Sequence, residues 1–165
     1  QRYFDQGMVL AFAFNHAESI RSFRAAQTLD PSCAMCFWGE ALATGPNINV
    51  TSKGKVIMSP DERRAAFAAL QSALALKDGA SEHEAAYIDA LAKRYNGQPD
   101  TDREPLDLAW ASAMGELSVA YPDDMNAASM YAEALMNTMP WNYWSEDGIA
   151  KNETAAVIAL SLIHI

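Results

Sequence analysis

The order of apolar and polar positions along the chain is helical throughout. In "HAESIRSFRAAQTLDP" the apolar residues Ala17, Ile20, Phe23, Ala26 and Leu29 recur every third position, which lays them along one face and leaves Arg21, Arg24 and Gln27 mostly outside it. The preceding "RYFDQGMVLAFAF" forms a second apolar helix with Gly7 in its interior, and "NHAE" supplies the turn between them. The same periodicity predicts helices in "PDERRAAFAALQSALAL", "SEHEAAYIDALAKRY", "DREPLDLAWASAMGELSVAY" and "MNAASMYAEALM", several opened by Ser or Asp suited to N-capping. Pro105 fits the first turn of its helix, where a missing N–H costs little. No segment reads as a strand, so the fold class is all-α.

These helices carry the spacing of a known repeat. Tyr3, Gly7, Leu10, Ser19, Phe23, Ala26 and Pro31 fall at the marker positions of the tetratricopeptide (TPR) unit, with Ser19 in place of the usual alanine and Gln6 where an apolar residue is usual. The chain therefore resembles a TPR protein, and the resemblance implies antiparallel helix pairs stacked as an α-solenoid. Small markers let helices approach closely, and aromatic ones fill the gap between units. Later units are looser. Phe37 and Ala41 start the second, but Ala66, Leu70 and Ala73 arrive late, because Ala41 to Ala66 spans 25 positions where the repeat uses about 12. The insertion is "GPNINVTSKGKVIMS". A third unit runs from Ser81 to Pro122 and uses Trp110, Met114 and Leu117; a fourth opens with "YAEALMNTMPWNYWSEDG", whose long loop ends before "NETAAVIA".

The two inserted loops share a pattern. "FWGEALATGPNIN" and "MYAEALMNTMPWNY" both place Glu-Ala-Leu before a Pro and an Asn, with Glu40 and Glu133 separated by 93 positions. Duplication of a unit of about ninety residues is expected, with both loops on the same edge of the stack. In this the chain is similar to an uncharacterised bacterial subgroup of TPR proteins with Trp-Gly-x-Ala-Leu and Pro-Trp-x-Tyr-Trp loops. Members of that subgroup are often predicted to be exported, so the resemblance leans towards an envelope or periplasmic location, with a cytoplasmic one left open.

Charge and composition narrow the partners. The 165 residues carry a net charge of −9, and it is uneven: residues 1 to 60 hold five Lys/Arg against four Asp/Glu, and 61 to 165 hold seven against seventeen. Such a chain repels a phosphate backbone, so nucleic acid is not an expected partner. No run approaches the ~20 apolar residues of a membrane span. The acidic cluster from Asp100 to Asp107 reads as a solvated helix start. The last six residues, Leu160 to Ile165, match the translation of the transposon end sequence used in preparing sequencing libraries (CTG TCT CTT ATA CAC ATC). The expected native span is therefore 1 to 159, a fragment of a longer repeat array, with 160 to 165 and its His164 an artefact. The cut end of such an array exposes an apolar face, so marginal stability or self-association is expected.

Chemistry is sparse. Cys33 and Cys36 form a CxxC in the first helical turn of the second unit, with Ser32 placed to cap it. A helix N-terminus stabilises a thiolate. Against a redox or metal role, a thioredoxin-type motif wants a preceding strand, haem attachment wants His where Phe37 stands, and zinc wants two further ligands. Buried structural cysteines are the expectation, with Cys33 and Cys36 the weak metal candidates. Eight methionines invite thoughts of copper, but Met8, Met114, Met130 and Met136 lie in helices, where core filling prevails. The triplets at Asn49 and Asn152 match the glycosylation pattern, which is common by chance. No nucleophile–base pair stands out, and no cofactor is expected.

The candidate binding residues are Trp38, Asn47, Asn49, Trp141, Asn142, Tyr143 and Trp144. The aromatic ones either fold back to seal the helix ends or present a platform to a ligand. The reading is a non-catalytic scaffold that binds a protein or peptide, with affinity from aromatic contacts and a bias towards basic or neutral ligands. The alternative is a small-ligand or metal-binding protein, with enzymatic activity open to it, whose site lies between the loops around Cys36, Asn47, Trp141 and Tyr143.

Overall fold

A computed structural model describes residues 1 to 162; the adapter-like His164 lies outside the described residues. Among them are eight α-helices: α1 (Arg2–Phe12), α2 (His16–Leu29), α3 (Ala34–Thr44), α4 (Pro60–Ala75), α5 (Glu82–Leu91), α6 (Glu104–Ala120), α7 (Met125–Thr138) and α8 (Thr154–Leu162). The all-α expectation holds at this level. It needs one correction, since the first inserted loop contains a hairpin of two short antiparallel strands, β1 (Thr51–Ser52) and β2 (Lys55–Val56). Two residues per strand are too few for any alternation of apolar and polar positions to show.

The chain forms two compact units. Unit 1 comprises Gln1–Gly45 and Ser59–Asp100; unit 2 comprises Pro46–Met58 and the described residues from Thr101 onward. The loop between α3 and α4 thus belongs to unit 2, although both helices belong to unit 1.

Unit 1 is organised around Phe23 of α2, which is fully buried. Its ring lies where a Cβ on Gly7 of α1 or on Gly39 of α3 would stand, so the two glycines let α1 and α3 close on the aromatic from different helices. Phe4 meets the same ring edge-on, centroids 5.6 Å apart. Ser19, also fully buried, donates its hydroxyl to Gly7 O at 2.8 Å, which satisfies a polar side chain inside the helix contact. The row read at intervals of three breaks down at its ends. Leu29 is 73% exposed and Ala17 is exposed, whereas Ser19, Ser22, Phe23 and Ala26 are buried. Three residues advance a helix by less than a full turn, so such a row drifts off any one face within a few steps.

The remaining helices of unit 1 add α4 and α5 against α3. Ser59 and Ser81 each form a reciprocal capping box, with Glu62 and Glu84, at the starts of α4 and α5. Trp38, on α3, is buried and donates its indole N–H to Tyr87 O of α5 at 3.1 Å; Tyr95 reaches back to Ala41 O at 2.8 Å. Gly97, at φ +74°, turns the chain against the Phe67 ring.

Unit 2 packs α6 and α8 on α7. Trp110 and Met114 are fully buried, Met130 and Met139 nearly so, and Met136 is half-buried, as is Met8 on α1 of unit 1. Pro105 sits in the first turn of α6. One sequence expectation fails here. Asp107 is not solvated but buried, paired with the equally buried Arg103 at 2.7 Å. The i,i+4 spacing puts both side chains on the inward face of the turn, and each supplies the charge that makes burial of the other tolerable.

Candidate functional site

Unit 2 brings the two inserted loops together. In the first, Asn47 Oδ1 accepts from Asn49 N at 2.9 Å and Asn47 O from Val50 N at 3.1 Å, a side-chain-braced turn that delivers the chain into β1. Lys53 and Gly54 both have positive φ, +52° and +75°, the backbone needed for a two-residue turn matching the strand twist. Ile48, Val56 and Met58 point inward and are buried, β2 lies against α7, and Val50 and Ile57 stay exposed. Lys55 holds the hairpin to the start of α6 through Glu104 at 2.6 Å.

The second loop begins with buried Met139 and Pro140 and then turns outward at Trp141, which has φ +62°. That left-handed backbone is rare for a bulky residue and needs support from its surroundings. The support is a hydrogen bond across 93 positions, from Trp141 Nε1 to Ile48 O at 2.7 Å. This bond joins the two loops edge to edge. From Tyr143 to Lys151 the chain folds on itself: Lys151 N donates to Tyr143 O at 2.9 Å, Ser145 N to Ile149 O at 2.9 Å, and Trp144 pairs with Ala150. Thr154, at the head of α8, donates its hydroxyl to Tyr143 O at 2.8 Å, and Lys151 Nζ donates to Asn142 Oδ1 at 2.9 Å.

The aromatic residues divide between two roles. Tyr143 is half-buried with its hydroxyl enclosed, and burial, with the negative charge of Glu133, pushes the phenol above its ordinary value; a bond to the Trp141 backbone partly opposes this. Tyr143 therefore seals the loop. Trp141 and Trp144 do not: the two residues are 66% and 52% exposed, beside exposed Ile149. Asn49 and Asn142 are exposed and Asn47 partly so, and Glu146, Asp147 and Glu153 are exposed at the same loop. Trp38, by contrast, lies in the core of unit 1, where its ring packs edge-on against Tyr87 and supports the helices.

Several supporting residues escaped the sequence reading. Asn137 is buried and donates to Glu133 Oε1 at 2.5 Å, holding the carboxylate at the end of α7 beneath the loop. The i,i+4 spacing in "EALMN" is the signal that would have found it. Ile48, Lys151 and Thr154 carry no signal, because their roles depend on which loop lies beside which.

Cys33 and Cys36 lie in unit 1 and form a disulfide. Cys33, not Ser32, is the N-cap of α3, and its sulfur accepts from Cys36 N at 3.2 Å. Ser32 is engaged elsewhere, its N–H and hydroxyl both donating to Asp30 Oδ1. Bonded to each other, the two sulfurs offer no thiolate to a metal ion, and among the described residues no cluster of three or more His, Cys, Asp or Glu is arranged to hold one. A cleft of about 430 Å³ borders both cysteines. No family model, curated protein or solved structure matches the chain.

Proposed function

We propose that the chain is a non-catalytic scaffold of TPR-like helix pairs that binds a protein or peptide through the joined loops of unit 2. The observation that carries this is Trp141, whose N–H is tied to Ile48 O while two-thirds of the residue remains in solvent. A ring held in place but left wet is already ordered, so a ligand that covers it gains contact area with little further loss of side-chain freedom. Trp144 and Ile149 extend the apolar surface, and exposed aromatic area of this kind marks interaction sites. Asn49 and Asn142 offer polar contacts at its margin. The exposed carboxylates of Glu146, Asp147 and Glu153 favour a ligand that is basic or neutral around an apolar anchor. The repeat reading is supported in unit 1 by burial of Gly7, Ser19, Phe23 and Ala26, the small and aromatic markers of the unit.

The test is selection from a random peptide library displayed on phage, with the Trp141→Ala/Trp144→Ala variant as counter-screen. Selected peptides should be rich in an apolar residue flanked by Lys or Arg. They should lose about 30-fold or more in affinity for the variant, the loss expected of an aromatic hot spot worth about 2 kcal/mol. Peptides that bind both forms equally, or a library that yields no binders, would refute the assignment.

A further inference from the structure

We propose that Cys33 and Cys36 are a redox-active pair that exchanges its disulfide with a dithiol on a partner polypeptide. The two sulfurs are unequal. Cys36, one turn inside α3, is 3% exposed, whereas Cys33 at the N-cap is partly exposed, so an incoming thiolate reaches Cys33 alone. When the bond opens, the Cys33 sulfur is left at the positive end of an eleven-residue helix with the Cys36 N–H directed at it from 3.2 Å. That environment stabilises a thiolate, and a stabilised thiolate is both populated at neutral pH and a good leaving group.

A purely structural role explains less. The disulfide closes a loop with only Ala34 and Met35 between its ends, and so short a loop removes little entropy from the unfolded chain. The helix already holds the two cysteines one turn apart, so reduction requires no refolding of α3. The strand that precedes the helix in thioredoxin-type proteins is missing here, but the chemistry draws on the helix terminus and on access to one sulfur. The bordering cleft, lined by Tyr3, Phe4, Leu29 and Met35 with Arg2 and Glu84, has room for the segment that carries the attacking thiol.

The exchange balances without an outside oxidant. A thiolate of the partner attacks Cys33 Sγ, forming a partner–Cys33 disulfide and breaking the Cys33–Cys36 bond; Cys36 leaves as a thiolate and takes a proton from water. The partner's second thiolate then attacks the partner's own sulfur in the mixed disulfide and expels Cys33. The partner has lost two electrons and two protons and gained a disulfide, and the pair has become a dithiol. The reverse sequence restores it.

The experiment uses the full chain with glutathione as probe. Wild type is equilibrated with graded ratios of reduced to oxidised glutathione, quenched with acid, and alkylated for mass spectrometry. Cys36→Ser and Cys33→Ser, checked by circular dichroism, are then reacted with oxidised glutathione across pH 5 to 9. The wild-type disulfide should open within the graded range. At pH 7 the Cys36→Ser variant should form its mixed disulfide at least ~10-fold faster than Cys33→Ser, with a rate midpoint below the ~8.5 of a free thiol. If neither variant folds, brief native reduction of wild type followed by iodoacetamide gives the same comparison, and Cys33 should be alkylated first. A disulfide that resists ~100-fold excess of reduced glutathione, or equal reactivity at the two positions, would overturn the proposal.

Discussion

Replacing Gly39 by alanine tests the packing of unit 1 at its tightest point. A Cβ there would stand 2.3, 2.5 and 2.6 Å from three atoms of the Phe23 ring. Ordinary carbon–carbon contact is about 3.5–4.0 Å, so the ring must retreat by about 1 Å or more. It has little room to retreat, because it is fully buried, α1 approaches it closely at Gly7, and Phe4 packs against it. Overpacking of this kind costs about 1–3 kcal/mol, and the upper end applies where the neighbour is a confined ring. Alanine returns about 1 kcal/mol through its greater helix propensity. The net loss is about 2 kcal/mol, a large part of the roughly 5–15 kcal/mol by which domains are stable. Urea unfolding followed by helical circular dichroism measures it. In a Phe23→Leu background the ring is gone, and the same substitution should become a gain of about 1 kcal/mol. If Gly39→Ala stabilises the wild type, Phe23 does not pack between α1 and α3 as described.

Two further predictions address charge. Asp107→Ala removes the buried carboxylate that pairs with Arg103 and should destabilise unit 2 by about 3 kcal/mol in the same urea assay; a loss below about 1 kcal/mol would mean that the pair is solvated. His16 has its pKa held below the ordinary 6.5, first by burial and then by the positive charge of Arg94, partly offset by a bond to the Ala43 backbone. The unfolded chain therefore binds the proton more readily, and the contribution of the neutral imidazole is present above about 6.5 and lost as pH falls below it. The melting temperature should drop between pH 7.5 and 5.5, and His16→Gln should flatten that slope; an unchanged slope would contradict it.

Much of the helical order was legible because it rests on local chemistry. The serine caps of α4 and α5 act within a few residues and lie where the sequence places them, whereas the turn expected at "NHAE" falls at residues 13 to 15, because His16, Ala17 and Glu18 already form the first turn of α2. Phe23 and Gly7 were legible for the same reason, as members of a spaced pattern. What escaped depends on tertiary neighbours. Asp107 looks like any acidic residue near a helix start until its turn faces inward, and Cys33 displaces Ser32 as the cap of α3 because Asp30 engages the serine. The loops were partly legible: their shared Glu-Ala-Leu pattern gave reason to expect them side by side. That Tyr143 would seal the second loop while Trp141 and Trp144 face solvent depends on tertiary neighbours such as Ile48, to which Trp141 bonds across 93 positions.

The central claim is that the surface made by Trp141 and Trp144 is where a ligand lands. Labelling the four tryptophans with 5-fluorotryptophan gives four fluorine resonances, two from the buried Trp38 and Trp110 and two from the exposed pair, assigned by single Trp→Phe substitutions. Titration with a library-selected peptide should shift the Trp141 and Trp144 resonances to saturation and leave the Trp38 and Trp110 resonances in place. Saturable shifts confined to Trp38 or Trp110, or binding with no shift at Trp141 and Trp144, would contradict it.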